Sequence, residues 1–433
     1  MKTVKIAYNW IGPQGPIPNL NAPNIYDLAS VMPGVHLLRD TKVDNLGSSF
    51  ISSQDYDPEV SFEVVPFYTV KQDDLCILPI ILDYDREIWD WFQVGRGIFE
   101  AGSHVGHVLY HYICSGNTYL LLDFSFETKL DSRTLRSMHD YFESWAFPMN
   151  KIIYATGCIN NQEIYDRFCN HHGIPDEPDR RMHIITHYPG LQNMSGSSCN
   201  ENPLALSGDS PEKKFLSFNY RTREHRTLLF GLFWKHNLLN DSFMSYVDLH
   251  GPITNHVPMH RIENFGLSMS DYAEIDKIVP AQLGAPRSEV DYIYDNENSD
   301  LEYYYSNSLV SIVTETTFFE DTHAITEKAF KPIKYMHPFI MVGSPGLLKR
   351  LQQMGFKTFS EWWDESYDLD LDHEKRMKRI LDLCVEIQGW SDEQVVKFRN
   401  EVKEILEYNY HHMMSNPYNS CMYNQVYTIV TGS

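Results

Sequence analysis

The sequence predicts an α/β protein built from two parallel-sheet domains that face a cleft, followed by C-terminal helices. Three observations carry this expectation. Short apolar, β-branched runs alternate with helical patterns, the mark of parallel α/β units. The alternation breaks once, in a stretch rich in Gly, Ser, Asn and Pro, and then restarts. The end of the chain is helical in pattern throughout. With 433 residues, 42% of them hydrophobic, the chain is long enough for two such cores.

Taken in order, Val4 to Tyr8, Phe62 to Val70, Leu75 to Leu82, Tyr119 to Phe124, Ile152 to Thr156 and His183 to His187 read as strands. Helical patterns lie between several of them, at Ser132 to Trp145 and Asn161 to His171. The linker-like stretch runs from Gly190 to Lys213. Beyond it "KFLSFNY" reads as a strand, Glu224 to Leu239 as a helix, and "FMSYVD" and "LVSIVTE" as further strands. A short helix at "ITEKAFKPI", the strand "PFIMV" and a helix from Gly346 to Met354 complete the second unit. Leu371 to Met414 reads as two helices broken near Gly389, with Ser391 and Gln394 as a capping box. The expected division is therefore residues 1–190 as a first α/β domain, 191–213 as a linker, 214–370 as a second α/β domain and 371–433 as a helical extension.

Composition narrows the function classes. The charge is 36 − 58 = −22, which repels nucleic acid at long range, so a polyanion would need a local basic groove. The seven cysteines are widely spaced and form no CxxC pair, which argues against a disulfide framework and a cysteine-rich zinc site. "MKTVKIAYNW" lacks the apolar run of a signal peptide, and no segment approaches the roughly 20 apolar residues of a membrane helix. The expectation is a soluble, cytoplasmic protein with no membrane partner.

The densest chemical signal is "SLVSIVTETTFFEDTHAITEKAF". Its order of strand, loop and helix puts Thr326, Glu327 and Lys328 at a helix N-terminus, where unpaired N–H groups favour an anion. A lysine there can neutralise a diphosphate, and an adjacent glutamate can accept hydrogen bonds from the two hydroxyls of a ribose. The same pattern also fits a plain helix start, with Thr326 as cap, Glu327 complementing the dipole and Lys328 solvated.

"ITEKAF" resembles the donor-binding signature of the α1,3-fucosyltransferase family, inverting enzymes of the GT-B architecture with two Rossmann-like domains. The surroundings resemble exostosin-like transferases and the glycosyltransferase-like proteins of large viruses and phages. In "FLSFNYRTREHRTLLFGLFWKHNLL", Asn219 and Arg226 match the family's strand, Asn and helix-borne Arg. The resemblance places Arg226 on the donor diphosphate, a role that suits a permanently charged, bidentate guanidinium. Glu315, at the end of "SIVTE", stands where the family has a strand-end glutamate, which implies contact with the transferred sugar. In the first domain "LLLDFSFETKLD" resembles the segment carrying the general base, which implies Glu127; Asp123 would share its side only if one strand ran through both. Ala324 stands where the family usually carries an aromatic residue, which leaves the donor base and sugar open.

The resemblance thus implies a metal-independent glycosyltransferase that needs no cofactor, with residues 1–190 binding the acceptor and residues 214–370 binding the donor, a GDP-sugar, UDP-sugar or related nucleotide sugar. Two acceptors compete: a glycan, which suits an acidic, aromatic chain, and a hydroxymethylated base in phage DNA, which would place the protein in a host cytoplasm. A non-catalytic sugar-nucleotide-binding protein is the alternative from another class. Other features point less far. His104, His107 and His111 share one face of a possible helix without a carboxylate to complete a zinc site. Gly95, Gly97 and Gly102 follow no clear strand, and "DLDLDHEK" reads as the solvated start of a helix. "DYIYDNENSDLEYYY" suits sugar stacking, a lid or a plain surface loop.

Overall fold

The computed structural model describes residues 2–8, 35–36, 61–66, 69–82, 111–114, 116–124, 130–188, 191, 211–247, 251–281, 283, 299–320, 323–415 and 419–432. The chain divides into two compact units, Met1–Pro189 with Pro417–Ser433, and Gly190–Asn416. Each is α/β with its own parallel sheet, as the alternation of apolar runs and helical patterns predicts. Glu127, Gly95, Gly97, Gly102, His104 and His107 lie outside the described residues, as does nearly all of the predicted linker.

The first unit's strands are β1 (Val4–Tyr8), β2 (Val35–His36), β3 (Phe62–Pro66), β4 (Cys76–Leu82), β5 (Thr118–Phe124), β6 (Ile152–Thr156) and β7 (His183–Thr186). They are ordered β3-β1-β4-β5-β6-β7, all parallel, with β2 antiparallel on β4. The strand expected from Phe62 to Val70 ends at Pro66, which has no N–H to extend the ladder. β5 and β6 are buried along nearly their whole length, because both faces of the sheet are covered. On one face Leu120, Leu122, Ile152 and Tyr154 pack against Met138 and Phe142 of α1 (Ser132–Ser144) and Phe168 of α2 (Asn161–His172). Asp131 caps α1 by accepting the Thr134 N–H, and Gly173, at φ 67°, ends α2 in the left-handed conformation.

The other face carries Ile6, Ile77, Leu121, Ile153 and Ile185, and is closed by Val426, Tyr427 and Val430. Those three residues come from the last helix, Asn419–Thr431. The C-terminal helices therefore divide between the units, this one belonging to the first. Its hold on the N-terminus is direct: the Tyr427 hydroxyl donates to the Lys2 carbonyl at 2.8 Å and accepts from the Lys2 N–H at 3.2 Å.

The second unit's sheet comprises β8 (Lys213–Ser217), β9 (Ser242–Met244), β10 (Ser308–Thr314) and β11 (Phe339–Val342), all parallel in the order β11-β10-β8-β9. β10 is buried at every position. Chain order reverses between β8 and β10, so their carboxyl ends flank a topological switch point, the usual crevice for a ligand on such a sheet. The helices are α3 (Glu224–Lys235), α4 (Met259–Asn264), α5 (Met269–Ile275), α6 (Ser299–Ser306), α7 (Glu327–Lys334), α8 (Leu347–Gln353), α9 (His373–Gln388), α10 (Asp392–Glu401) and α11 (Lys403–Met414), which makes the last helix α12.

Part of "DYIYDNENSDLEYYY" is thus α6 and structural: Tyr305 is 3% exposed and stacks on Tyr335 at 4.3 Å. Ser391 and Gln394 form the capping box read from the sequence, and Asp372, in "DLDLDHEK", caps α9. A further break at Val402 separates α10 from α11, so this region holds three helices where two were expected. Among the described residues no helix is long and apolar enough to cross a membrane.

Candidate functional site

Six residues singled out in the second unit gather at the carboxyl ends of β8 and β10. β8 leads through Phe218 to Asn219, which is 1% exposed. Its side-chain amide donates to Ser217 Oγ at 3.0 Å, and its side-chain oxygen accepts from the Thr314 hydroxyl at 2.6 Å. Its backbone N–H donates to Ser245 Oγ at 2.9 Å. Asn219 therefore ties β8, β9 and β10 together at the switch point, with its polar atoms spent on protein.

Arg226 is 2% exposed, in the first turn of α3. Its guanidinium donates to the carbonyls of Arg221 and Thr314, both at 3.0 Å, and of Glu315 at 3.4 Å. The Thr314 and Glu315 carbonyls lie where β10 ends, so a buried cation replaces the ladder partners lost there. His225, beside it, was not singled out from the sequence. Burial pushes its imidazole well below the usual histidine range, and the Arg226 charge adds to the effect. The ring is neutral, and because Nε2 meets the Glu315 carbonyl at 2.9 Å, that nitrogen carries the hydrogen. The ring also stacks on Phe318 at 5.6 Å with an interplanar angle of 17°. Its only sequence signal was its place next to Arg226 on a helix that follows a strand.

Glu315 is fully buried. Its carboxylate accepts from the Thr326 N–H at 2.9 Å and the Thr326 hydroxyl at 2.7 Å. Burial raises its pKa, while the Lys328 charge and the Thr326 hydrogen bonds oppose that rise. Gly343, past β11, leaves room for it: a Cβ there would lie 3.1 Å from Glu315 Cβ and collide with Leu347. Thr326 in turn caps α7 by accepting the Lys328 N–H at 3.4 Å. One carboxylate thereby fixes both the entry to α7 and the side chain that caps it.

The first turn of α7 opens with Glu327 and Lys328, whose Oε1 and Nζ lie 2.6 Å apart with side chains 19% and 17% exposed. Burial raises the Glu327 carboxyl, but the Lys328 charge and hydrogen bond, with help from Lys331, outweigh it and bring its pKa to about 2. The pair is charged across the physiological range. Pro332 lies inside α7, which is eight residues long and ends at Lys334. Ala324, where an aromatic residue was expected by resemblance, is fully buried.

The loop from β10 to α7 is held from two sides. The Arg376 guanidinium lies 4.3 Å over the Phe318 ring and donates to the Phe318 carbonyl at 2.7 Å. The Arg261 guanidinium lies 3.5 Å over Phe319 and pairs with Glu224 of α3. Chemically the edge offers an acceptor-only carboxylate and an ammonium side by side, on a helix start whose position is fixed by buried hydrogen bonds. Among the described residues no three His, Cys, Asp or Glu side chains are arranged to hold a metal ion.

No family model matches the chain, and no curated protein matches it in sequence. Solved structures align with it at low identity. The α,α-trehalose 6-phosphate synthase of Burkholderia multivorans is 11% identical over 84% of this chain and 71% of its own, with a TM-score of 0.41. The α,α-trehalose-phosphate synthase (UDP-forming) of Burkholderia vietnamiensis is 11% identical over 90% of this chain and 76% of its own, also at 0.41. The spinosyn rhamnosyltransferase SpnG is 10% identical over all of both chains, with a TM-score of 0.31. Likenesses of this depth carry no statement about activity.

Proposed function

We propose that the protein is a nucleotide-sugar-dependent glycosyltransferase of GT-B type, which moves a sugar with inversion from a nucleoside diphosphate to a hydroxyl of a glycan. The observation that carries this reading is the Glu327–Lys328 pair on the first turn of α7, anchored through Thr326 to buried Glu315 at the sheet's switch point. Lys328 neutralises the diphosphate as it departs, and Glu327 accepts the ribose hydroxyls. Arg226 and Asn219, which hydrogen-bond to Thr314, serve the donor by fixing the ends of β8 and β10. Glu315 acts in the same way, through Thr326. The acceptor belongs to the first unit, with the resemblance naming Glu127 as base. The acidic charge of −22 favours a saccharide acceptor over DNA.

Thermal unfolding against a panel of GDP-, UDP- and dTDP-sugars tests the reading. A ligand at a hundred times its Kd should stabilise the folded chain by about 2.7 kcal/mol. Lys328→Ala should cut that stabilisation by about half or more at the same ligand concentration. If no nucleotide or nucleotide sugar moves the transition, the proposal fails.

A further inference from the structure

The outer edge of the first unit's sheet borders a cavity that the donor reading does not use. Its volume is about 690 Å³, within the range of roughly 300–1,000 Å³ usual for small-molecule sites. Residues 182–185, which begin just before β7, line it without a gap. Side chains alternate between the faces of a strand, so a cavity against one face would meet every second residue. An unbroken run marks the backbone edge instead. β7 ends the sheet, with β6 on its other side. Asn424, Gln425, Thr428 and Ile429 of α12 form the wall on one face, and Gln162, in the first turn of α2, stands on the other.

The edge itself offers one open peptide unit. Successive peptide groups of a strand point to opposite edges, and the His187 N–H donates to the Thr156 carbonyl of β6. Odd-numbered residues of β7 therefore face β6, and even-numbered ones face away from it. Met182 agrees, its N–H turning from the sheet to the Tyr165 hydroxyl at 2.8 Å. Ile184, next in phase, bonds neither its N–H nor its carbonyl to a described residue. Strand addition by a peptide uses a ladder of such groups. A single open unit suits a compact ligand that presents a donor and an acceptor side by side.

The side chains around it are uncharged. His183 Nε2 donates to the Asn150 carbonyl at 3.1 Å, and burial lowers its pKa, so the ring is neutral with Nδ1 as an acceptor. The Gln162 amide nitrogen donates to Asp166 at 3.0 Å, which leaves its oxygen as an acceptor. Asn424 Oδ1 is buried without a partner, so that oxygen gives up no hydrogen bond when the amide turns to a ligand. Ile184 and Ile429 are half-buried and supply apolar surface. Among the described lining residues there is no Asp, Glu, Lys or Arg, so a phosphate or carboxylate would find no counter-charge. Amides, a hydroxyl and an imidazole match the hydroxyls of a sugar, and the aliphatic side chains match its C–H faces.

We propose that the cavity between the edge of β7 and α12 is a binding site for a neutral saccharide. The inference stands apart from the transfer reading, since a chain that transfers no sugar would still bind one here. Saturation-transfer NMR on the full chain tests it, with maltotriose, cellotriose, mannotriose and chitotriose as probes. At least one should bind with a Kd in the millimolar range. Thr428→Trp, at an exposed position on the wall, should fill the cavity and weaken binding at least about tenfold. Asn424→Ala should weaken it about three- to tenfold, the worth of one hydrogen bond. Urea midpoints near that of the wild type show that both variants are folded. Binding that neither variant weakens lies elsewhere, which overturns the proposal and leaves the transfer reading intact. The proposal also fails if no trisaccharide binds at tens of millimolar, or if glucose 6-phosphate displaces the bound one. An extended Val–Thr hexapeptide that binds where the trisaccharides do not would assign the cavity to strand addition and overturn it too.

Discussion

The carboxyl edges of the two sheets are built in opposite ways. At the second unit's edge three side chains are tied to protein: Glu315 to Thr326, Asn219 to Thr314 and Ser217, and Arg226 to three carbonyls. What remains partly open is one ion pair on α7. In the first unit the reverse holds at His187, just beyond β7, which is nearly buried and whose imidazole is hydrogen-bonded to no described residue. A saturated edge suits a rigid platform for a ligand of fixed shape, such as a nucleoside diphosphate.

The largest effect that would break this contrast is expected at Glu315. Glu315→Ala leaves the Thr326 N–H and hydroxyl without their acceptor and frees the entry to α7. Hydrogen bonds to a buried carboxylate contribute about 1.5–3 kcal/mol each, so a loss of about 3 kcal/mol is expected in urea unfolding of the second unit. Donor binding should go with it. A loss below about 1 kcal/mol would show that Glu315 is not the anchor described.

Next in size is Lys328→Ala, which should weaken donor binding at least tenfold, about 1.4 kcal/mol, by calorimetry. It also has a pH signature. The folded pKa of Glu327, about 2, lies below its ordinary value of 4.5, so its stabilising contribution is full above pH 4.5 and is lost as pH falls towards 2. Glu315, with its pKa raised, has the opposite sign: its contribution is full below its ordinary value and is lost as pH rises through the folded pKa. Removing Lys328 takes away the charge that depresses Glu327. Urea midpoints measured at pH 5 and pH 3 should then fall less steeply on acidification in the variant than in the wild type. An unchanged slope would mean that another group holds Glu327 down.

Much of the second unit could be read from the chain because its signals are local. Apolar runs such as "SLVSIVT" mark buried strands, and "ITEK" places a cap and two charges in four consecutive residues. The role of Arg226 could not be read in the same way. A sequence shows a cation near a strand end, but whether it meets a phosphate or the backbone depends on burial, and here it meets carbonyls. Glu315 likewise reaches Thr326 across eleven residues, a contact set by the loop's path. Asp123 and His187 lie further from prediction, because their common face depends on the register of three strands from distant parts of the chain. α12 was not foreseen as the cover of the first sheet, since one amphipathic helix at the end of a sequence does not reveal which face it closes.

The smallest effects test whether slackness in the first unit extends beyond its edge. Both units bury a histidine whose pKa burial lowers to about 4, His139 in the first and His337 in the second. His337 is saturated, its ring nitrogens meeting Ser311 Oγ at 2.8 Å, the Ser308 carbonyl at 3.0 Å and the Pro338 carbonyl at 3.1 Å. His139 meets only the Tyr165 hydroxyl, at 3.0 Å, and its Nδ1 is buried without a partner. Replacing each by Phe, of similar size, should cost about 2 kcal/mol at His337, where buried groups lose partners, and under about 1 kcal/mol at His139. For both, the folded pKa lies below the ordinary 6.5, so stability is full above pH 6.5 and is lost as pH falls towards 4. Each Phe variant should therefore lose less stability than the wild type between pH 7 and pH 4.5. Equal costs at the two positions, measured by urea unfolding at pH 7, would show that the units do not differ in how tightly their polar groups are paired.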